Sequence, residues 1–95
     1  MDCKNLQFSQ HAFQRMFERA FSPVEVREAI TTGETIINYP DDKPYPSRLI
    51  SANLGSRSIH VVVALDPITE TCHVVTVYQP DPDLWNTDFR TRRPQ

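Results

Sequence analysis

An imidazole, a guanidinium and a phenol give this sequence its clearest chemical potential: His60, Arg48 and Tyr78. Imidazole titrates near neutrality, so His60 can give or take a proton, and positioned acids or bases contribute about 10²- to 10⁴-fold in rate. Arg48 can grip two oxygens of a phosphate at once, while Tyr78 can hydrogen-bond a phosphate or stack on a base. The set suits acid–base chemistry at a phosphate ester. It also reads as ordinary strand chemistry, with His60 and Thr76 as a cross-strand pair, Tyr78 as an amphipathic strand end and Arg48 as a solvated residue. His11 is a further candidate, one helical turn before Arg15 and on the same face as Glu18. That spacing equally describes a solvated, salt-linked helix surface. His73 falls on an apolar parity. Three histidines without ligand spacing lead us to expect no metal site and no cofactor.

The elements that must position these groups can be read from periodicity. From Arg57 to Leu65 the residues Ile59, Val61, Val63 and Leu65 share one parity, and Val75 and Val77 do likewise between Thr71 and Tyr78, the period-two pattern of strands. Asp66-Pro67 breaks the run, so Asp66 to Glu70 reads as the loop of an antiparallel hairpin. The expected register sets Leu65 against Thr71, Val63 against His73, Val61 against Val75 and Ile59 against Val77. Its other face then carries Ser58, His60, Val62 and Ala64 with Cys72, Val74, Thr76 and Tyr78. This mixed face looks outward, or into a cleft closed partly by the C-terminal segment.

Ahead of the hairpin, residues 5 to 8 alternate as a short edge strand. Ser9 is an expected N-cap for a helix to about Ala20, with Ala12, Phe13, Met16, Phe17 and Ala20 as its buried stripe. Ser22-Pro23-Val24-Glu25 is a capping box opening a second helix, which Gly33 ends. Glu34 to Tyr39 and Arg48 to Asn53 are expected strands separated by a proline-rich loop. Asp81-Pro82 starts a short turn that sets Trp85 and Phe89 on one side and docks Trp85 on the domain. The resulting class is α+β: two N-terminal helices packed on one face of a three- to four-stranded antiparallel sheet.

Length and composition bound the reading. Ninety-five residues make one domain, 1–95, with 86–95 expected as a partly mobile basic tail. At 39% hydrophobic and 23% charged, with eight prolines against two glycines, the composition is that of a globular protein with defined loops. A formal charge of −2 argues against binding nucleic acid through bulk charge alone. Basic residues still cluster at Arg15 and Arg19, at Lys43, Arg48 and Arg57, and at Arg90, Arg92 and Arg93. With no apolar run of signal or membrane-spanning length, the expected location is the cytoplasm. Cys3 and Cys72, far apart and too few for a disulfide framework, read as reduced thiols.

Phe8-Ser9-Gln10-His11-Ala12, Arg15-Met16, Glu18-Arg19, Pro46-Ser47-Arg48-Leu49, His60-Val61-Val62-Val63 and Val77-Tyr78-Gln79-Pro80-Asp81-Pro82 with Trp85 resemble a family of short bacterial proteins of unassigned function. The similarity runs along most of the chain. That family in turn resembles the RelE and MqsR messenger-RNA interferase toxins in layout, and its members tend to be encoded beside a small zinc-finger protein similar to the MqsA antitoxin. The resemblance implies a toxin of a type II toxin–antitoxin pair, cutting messenger RNA without metal through 2′-hydroxyl attack. His60, Arg48, Tyr78 and His11 are then the catalytic candidates, and Arg15, Arg57, Arg90 and Arg92 the RNA-binding ones. The acidic balance departs from the basic toxins that work on the ribosome. Two other classes fit the sequence: a non-catalytic interaction module of the same fold, and a helix-turn-helix DNA reader built on Ser9 to Gly33. Glu25 and Glu28 on its second helix oppose the latter.

Overall fold

The computed structural model describes residues 1–94; Gln95, the last residue of the expected tail, lies outside them. Along the chain run β1 (Asn5–Phe8), α1 (Gln10–Arg19), α2 (Pro23–Thr32), β2 (Glu34–Tyr39), β3 (Ser47–Asn53), β4 (Ser58–Asp66) and β5 (Thr71–Tyr78). They form one five-stranded sheet in the order β1-β5-β4-β3-β2. This corrects the expected three- to four-stranded antiparallel sheet. The sheet is mixed, because β1 lies parallel to β5, pairing Asn5 with Thr71 through Phe8 with Val74, while the other neighbours are antiparallel. A four-residue edge segment carries no signal of its own for which strand it joins. Here the partner is the last strand of the chain, and parallel pairing is open to it because the whole intervening chain serves as crossover.

Both helices form where their caps dictate. Ser9 Oγ accepts from the Ala12 amide at α1, and at α2 Ser22 and Glu25 complete a reciprocal capping box. Gly33 ends α2 with φ at −78°, so handedness does not explain the glycine. Space does. A Cβ there would lie 2.5 Å from the Ala29 carbonyl oxygen and 2.6 Å from Ile50 Cγ2. The left-handed cap belongs to α1, at Ala20 with φ 56°.

One face of the sheet meets the helices. Ile50, Ile59, Val61, Val63, Cys72, Val74 and Val77 join Ala12, Met16, Val26, Ala29 and Ile30 in one core. The β4 parity is as its alternation predicts; the β5 register is not. Asp66 pairs with Thr71 through Val63 with Val74, then a bulge intervenes and Val62 pairs with Thr76 through His60 with Tyr78. The bulge adds one residue on β5 and exchanges the faces on its two sides. Cys72 and Val74 therefore turn to the helices, while Val75 is 41% exposed. The helix stripe also narrows. Of the five expected residues only Ala12 and Met16 are buried; Phe13 is half exposed and Phe17 is 89% exposed. α1 packs on β5 at one side of the sheet and seals only a single strip.

The two cysteines are joined. Cys3 and Cys72 form a disulfide with Cα atoms 5.6 Å apart, against the expectation of separate thiols. Parallel pairing of β1 brings the N-terminus alongside Cys72, a proximity no spacing rule across 69 residues could announce. No helix among the described residues is long and apolar enough to cross a membrane.

Candidate functional site

Across the face away from the helices, β3, β4 and β5 place Ser51, His60 and Tyr78 side by side, since Ser51 pairs with His60 and His60 with Tyr78. His60 is fully buried in spite of its polarity. Its partners explain how. Nε2 lies 2.6 Å from the carbonyl oxygen of Phe89, and Nδ1 lies 3.1 Å from Tyr78 Oη. A carbonyl only accepts, so the neutral ring carries its proton on Nε2, and Tyr78 then donates to Nδ1. Ser51 Oγ donates to the same Phe89 oxygen at 3.1 Å. Trp85, also buried, closes over the imidazole edge-on with centroids 4.6 Å apart.

Electrostatics match this packing. Burial pushes the His60 imidazole below its ordinary value, opposed in part by the bond to Phe89, so the ring is held neutral. Burial raises the Tyr78 phenol, Tyr39 raises it further, and Arg92 works against both. Arg92 lies over the Trp85 ring at 5.4 Å. It is thus a cation beside the His60–Tyr78 pair. Next to the pair, a cleft of about 640 Å³ is lined by Gly33, Asn53, Gln79 and Thr87 together with Ser51 and Phe89.

The remaining candidates are scattered. Arg48 pairs with Val63, three positions from Ser51 along β3, so alternation places it on the face opposite His60. It is half-buried and lines a separate hollow with Asn38 and Leu65. His11 is exposed and reaches Thr76 at 3.3 Å, on the same face as Tyr78 and two residues before it. Arg15 pairs with Glu18 on the helix surface. Arg57 is a bracket: it donates to the Arg19 and Ala20 carbonyls, pairs with Glu25 and covers the Phe21 ring at 3.9 Å. Arg90 is ion-paired with Glu34. Among the described residues no three His, Cys, Asp or Glu side chains gather to hold a metal ion.

Residues 8–79 match a family model described as a domain of unknown function, DUF4258. The chain belongs to the DUF4258 family. Its match takes in Ser51, His60 and Tyr78 and stops at Gln79, so the family domain contains the row of three but not the segment carrying Trp85 and Phe89. No curated protein and no solved structure matches the chain. Reasoning from sequence missed Ser51, because its partner is a main-chain carbonyl 38 residues away. The one available signal was that Ser51, like His60, falls between apolar neighbours on its strand.

Proposed function

We propose that this protein is a metal-independent endoribonuclease, the toxin of a toxin–antitoxin pair, acting on messenger RNA in the cytoplasm by attack of the ribose 2′-hydroxyl. The observation that supports this reading best is the His60–Tyr78 hydrogen bond on the sheet face that the helices leave free. Such cleavage needs a base for the 2′-hydroxyl, an acid for the leaving 5′-oxygen and a positive charge near the phosphorane. With the Phe89 carbonyl withdrawn, the imidazole proton can sit on Nδ1 toward Tyr78, leaving the Nε2 lone pair to take the 2′-hydroxyl proton. Tyr78 protonates the 5′-oxygen. The imidazolium, itself the positive charge beside the phosphorane, then returns a proton to the tyrosinate through the same hydrogen bond. The reducing conditions of the cytoplasm work against the Cys3–Cys72 bond seen in the structure, and the β1–β5 ladder joins the two strands in addition to it.

Labelled RNA incubated with the purified protein and chelator should yield a 2′,3′-cyclic phosphate and a 5′-hydroxyl. His60→Ala and Tyr78→Phe should each slow cleavage at least about ten-fold, equal to roughly 1.4 kcal/mol of barrier. Cleavage unchanged in both variants, or abolished by the chelator, would sink the mechanism.

A second reading, a non-catalytic interaction module, draws on a different feature. Phe13 and Phe17, one turn apart on α1, are 51% and 89% exposed, more apolar surface than a helix in water needs. A small zinc-finger antitoxin is the proposed partner under either reading. Co-expression with the neighbouring gene product tests it: failure to co-purify, with no relief of a growth defect, removes the antitoxin.

A further inference from the structure

Residues 81–94 fold as a small unit of their own over the sheet. Its backbone hydrogen bonds run inward, from Trp85 to Asp81, Asn86 to Thr91, Phe89 to Asn86 and Arg93 to Leu84. Its polar ties to the rest of the protein are different in kind. They are the Phe89 carbonyl, which receives Ser51 and His60, and the exposed Arg90–Glu34 ion pair. The unit can therefore lift as a body while keeping its own backbone bonds.

What it covers is the one fully buried histidine among the described residues. The carbonyl that occupies His60 is carried by Phe89 at φ 54°, a left-handed conformation that L side chains rarely adopt. Backbone held in such a region persists only where its surroundings enforce it, and such positions cluster at clamps and switches. The segment also lies beyond the family match, which ends at Gln79. Between it and the body runs the cleft lined by Gly33 and Asn53 on one side and Thr87 and Phe89 on the other.

We propose that residues 81–94 are an autoinhibitory cover, which holds His60 out of reach through the Phe89 carbonyl and the Trp85 ring and must lift before the imidazole can meet RNA. The inference rests on reading His60 and Tyr78 as an RNA-cleaving pair. In the closed arrangement the outward nitrogen of His60 is bonded to main chain and shielded by indole, so neither proton transfer to a substrate nor contact with one is open to it. Trp85 is the plug, Arg90 the latch, and Gln79-Pro80 the link back to β5.

Acylation of neutral imidazole by diethyl pyrocarbonate, followed by peptide mass, reads the cover directly in the full-length protein. His60 should react at least about ten-fold more slowly than exposed His11, as expected for a group reached only through local opening. Trp85→Ala and Arg90→Ala should speed its reaction, the first by at least about ten-fold and the second by a few-fold. Phe89→Gly, which accepts the left-handed backbone without strain, should slow it. If His60 reacts equally fast in all four proteins, or only in step with exchange of the Val61 and Val63 amides, the cover does not move separately and the inference falls. Cleavage assays on the same proteins separate the two claims. Cleavage rising with His60 reactivity supports both; raised reactivity with no cleavage in any variant overturns the nuclease and leaves the cover; cleavage insensitive to the cover overturns its inhibitory role.

Discussion

On the face of the sheet that carries α1 and α2, Ile59, Val61, Val63, Val74 and Val77 are fully buried among aliphatic neighbours, whereas on the other face the fully buried side chain at the same level of β4 is His60. The first face is closed by two helices, which turn Ala12 and Met16 of α1 and Val26, Ala29 and Ile30 of α2 inward. The second is closed by a segment with neither helix nor long strand, through one carbonyl, one indole and one exposed ion pair. Apolar burial is non-directional and tolerant, so the helix face is a durable seam. A buried polar group instead depends on each of its hydrogen bonds, and losing one leaves it unsatisfied. The difference makes one face depend on the sum of its packing and the other on a few individual hydrogen bonds.

The largest effect should come from the helix face, at the Cys3–Cys72 bond. It closes a loop of 69 residues, and chain-entropy arguments give about 4 kcal/mol for a loop of that size. Cys3→Ser should lower stability by about that amount in denaturant titrations of the oxidised protein. A loss below about 1 kcal/mol would mean that the β1–β5 ladder alone fixes the N-terminus.

Val61→Ala tests the same face without touching covalent structure. It removes buried aliphatic carbons from the middle of the core, and lost burial plus a residual cavity should cost about 2 to 3 kcal/mol. Hydrogen exchange should then accelerate in β4 and β5 alike, since Val61 pairs with Val77. Acceleration confined to the C-terminal cover would break the division between the faces.

How much of this was open to reading follows the same division. β4 announced its faces, because the four alternating positions Ile59, Val61, Val63 and Leu65 between Ser58 and Asp66 mark the side that buries the aliphatics. The capping box at Ser22 and Glu25 fixed the start of α2. β5 did not announce its faces: Val74, Val75 and Val77 support either parity, and the bulge that chooses between them is set by the partner strand. Arg48 reads in the sequence as a companion of His60, but the pairing of β3 with β4 sets the two on opposite faces. The parallel place of β1, the disulfide and the Phe89 carbonyl are contacts between segments far apart in the chain. None leaves a periodic trace.

Acid should separate the faces next, with a smaller effect. Burial lowers the His60 imidazole from its ordinary value of 6.5, so between the lowered value and 6.5 the unfolded chain binds more protons than the folded one. Stability must then fall as pH drops through that window and recover above it. In His60→Gln this contribution should disappear. A wild-type midpoint that does not change between pH 7 and 5, while His60→Gln behaves identically, would show that the ring is not held neutral by its cover.

The smallest expected effect is at Phe17, and it bears on what α1 is for. The residue lies on the side of the helix expected to be buried, yet it is 89% exposed while Met16, its neighbour in sequence, is 2% exposed. Truncating an exposed ring removes almost no buried area, so Phe17→Ala should stay within about 0.5 kcal/mol of the parent. Met16→Ala, which empties a core position, should cost at least about 2 kcal/mol. A large loss at Phe17 would mean that the ring is buried in solution, most simply against another copy of the chain, and the midpoint of the parent would then rise with protein concentration. A small loss, together with weakened capture of a co-expressed partner, would make Phe17 part of a docking surface that contributes little to the fold.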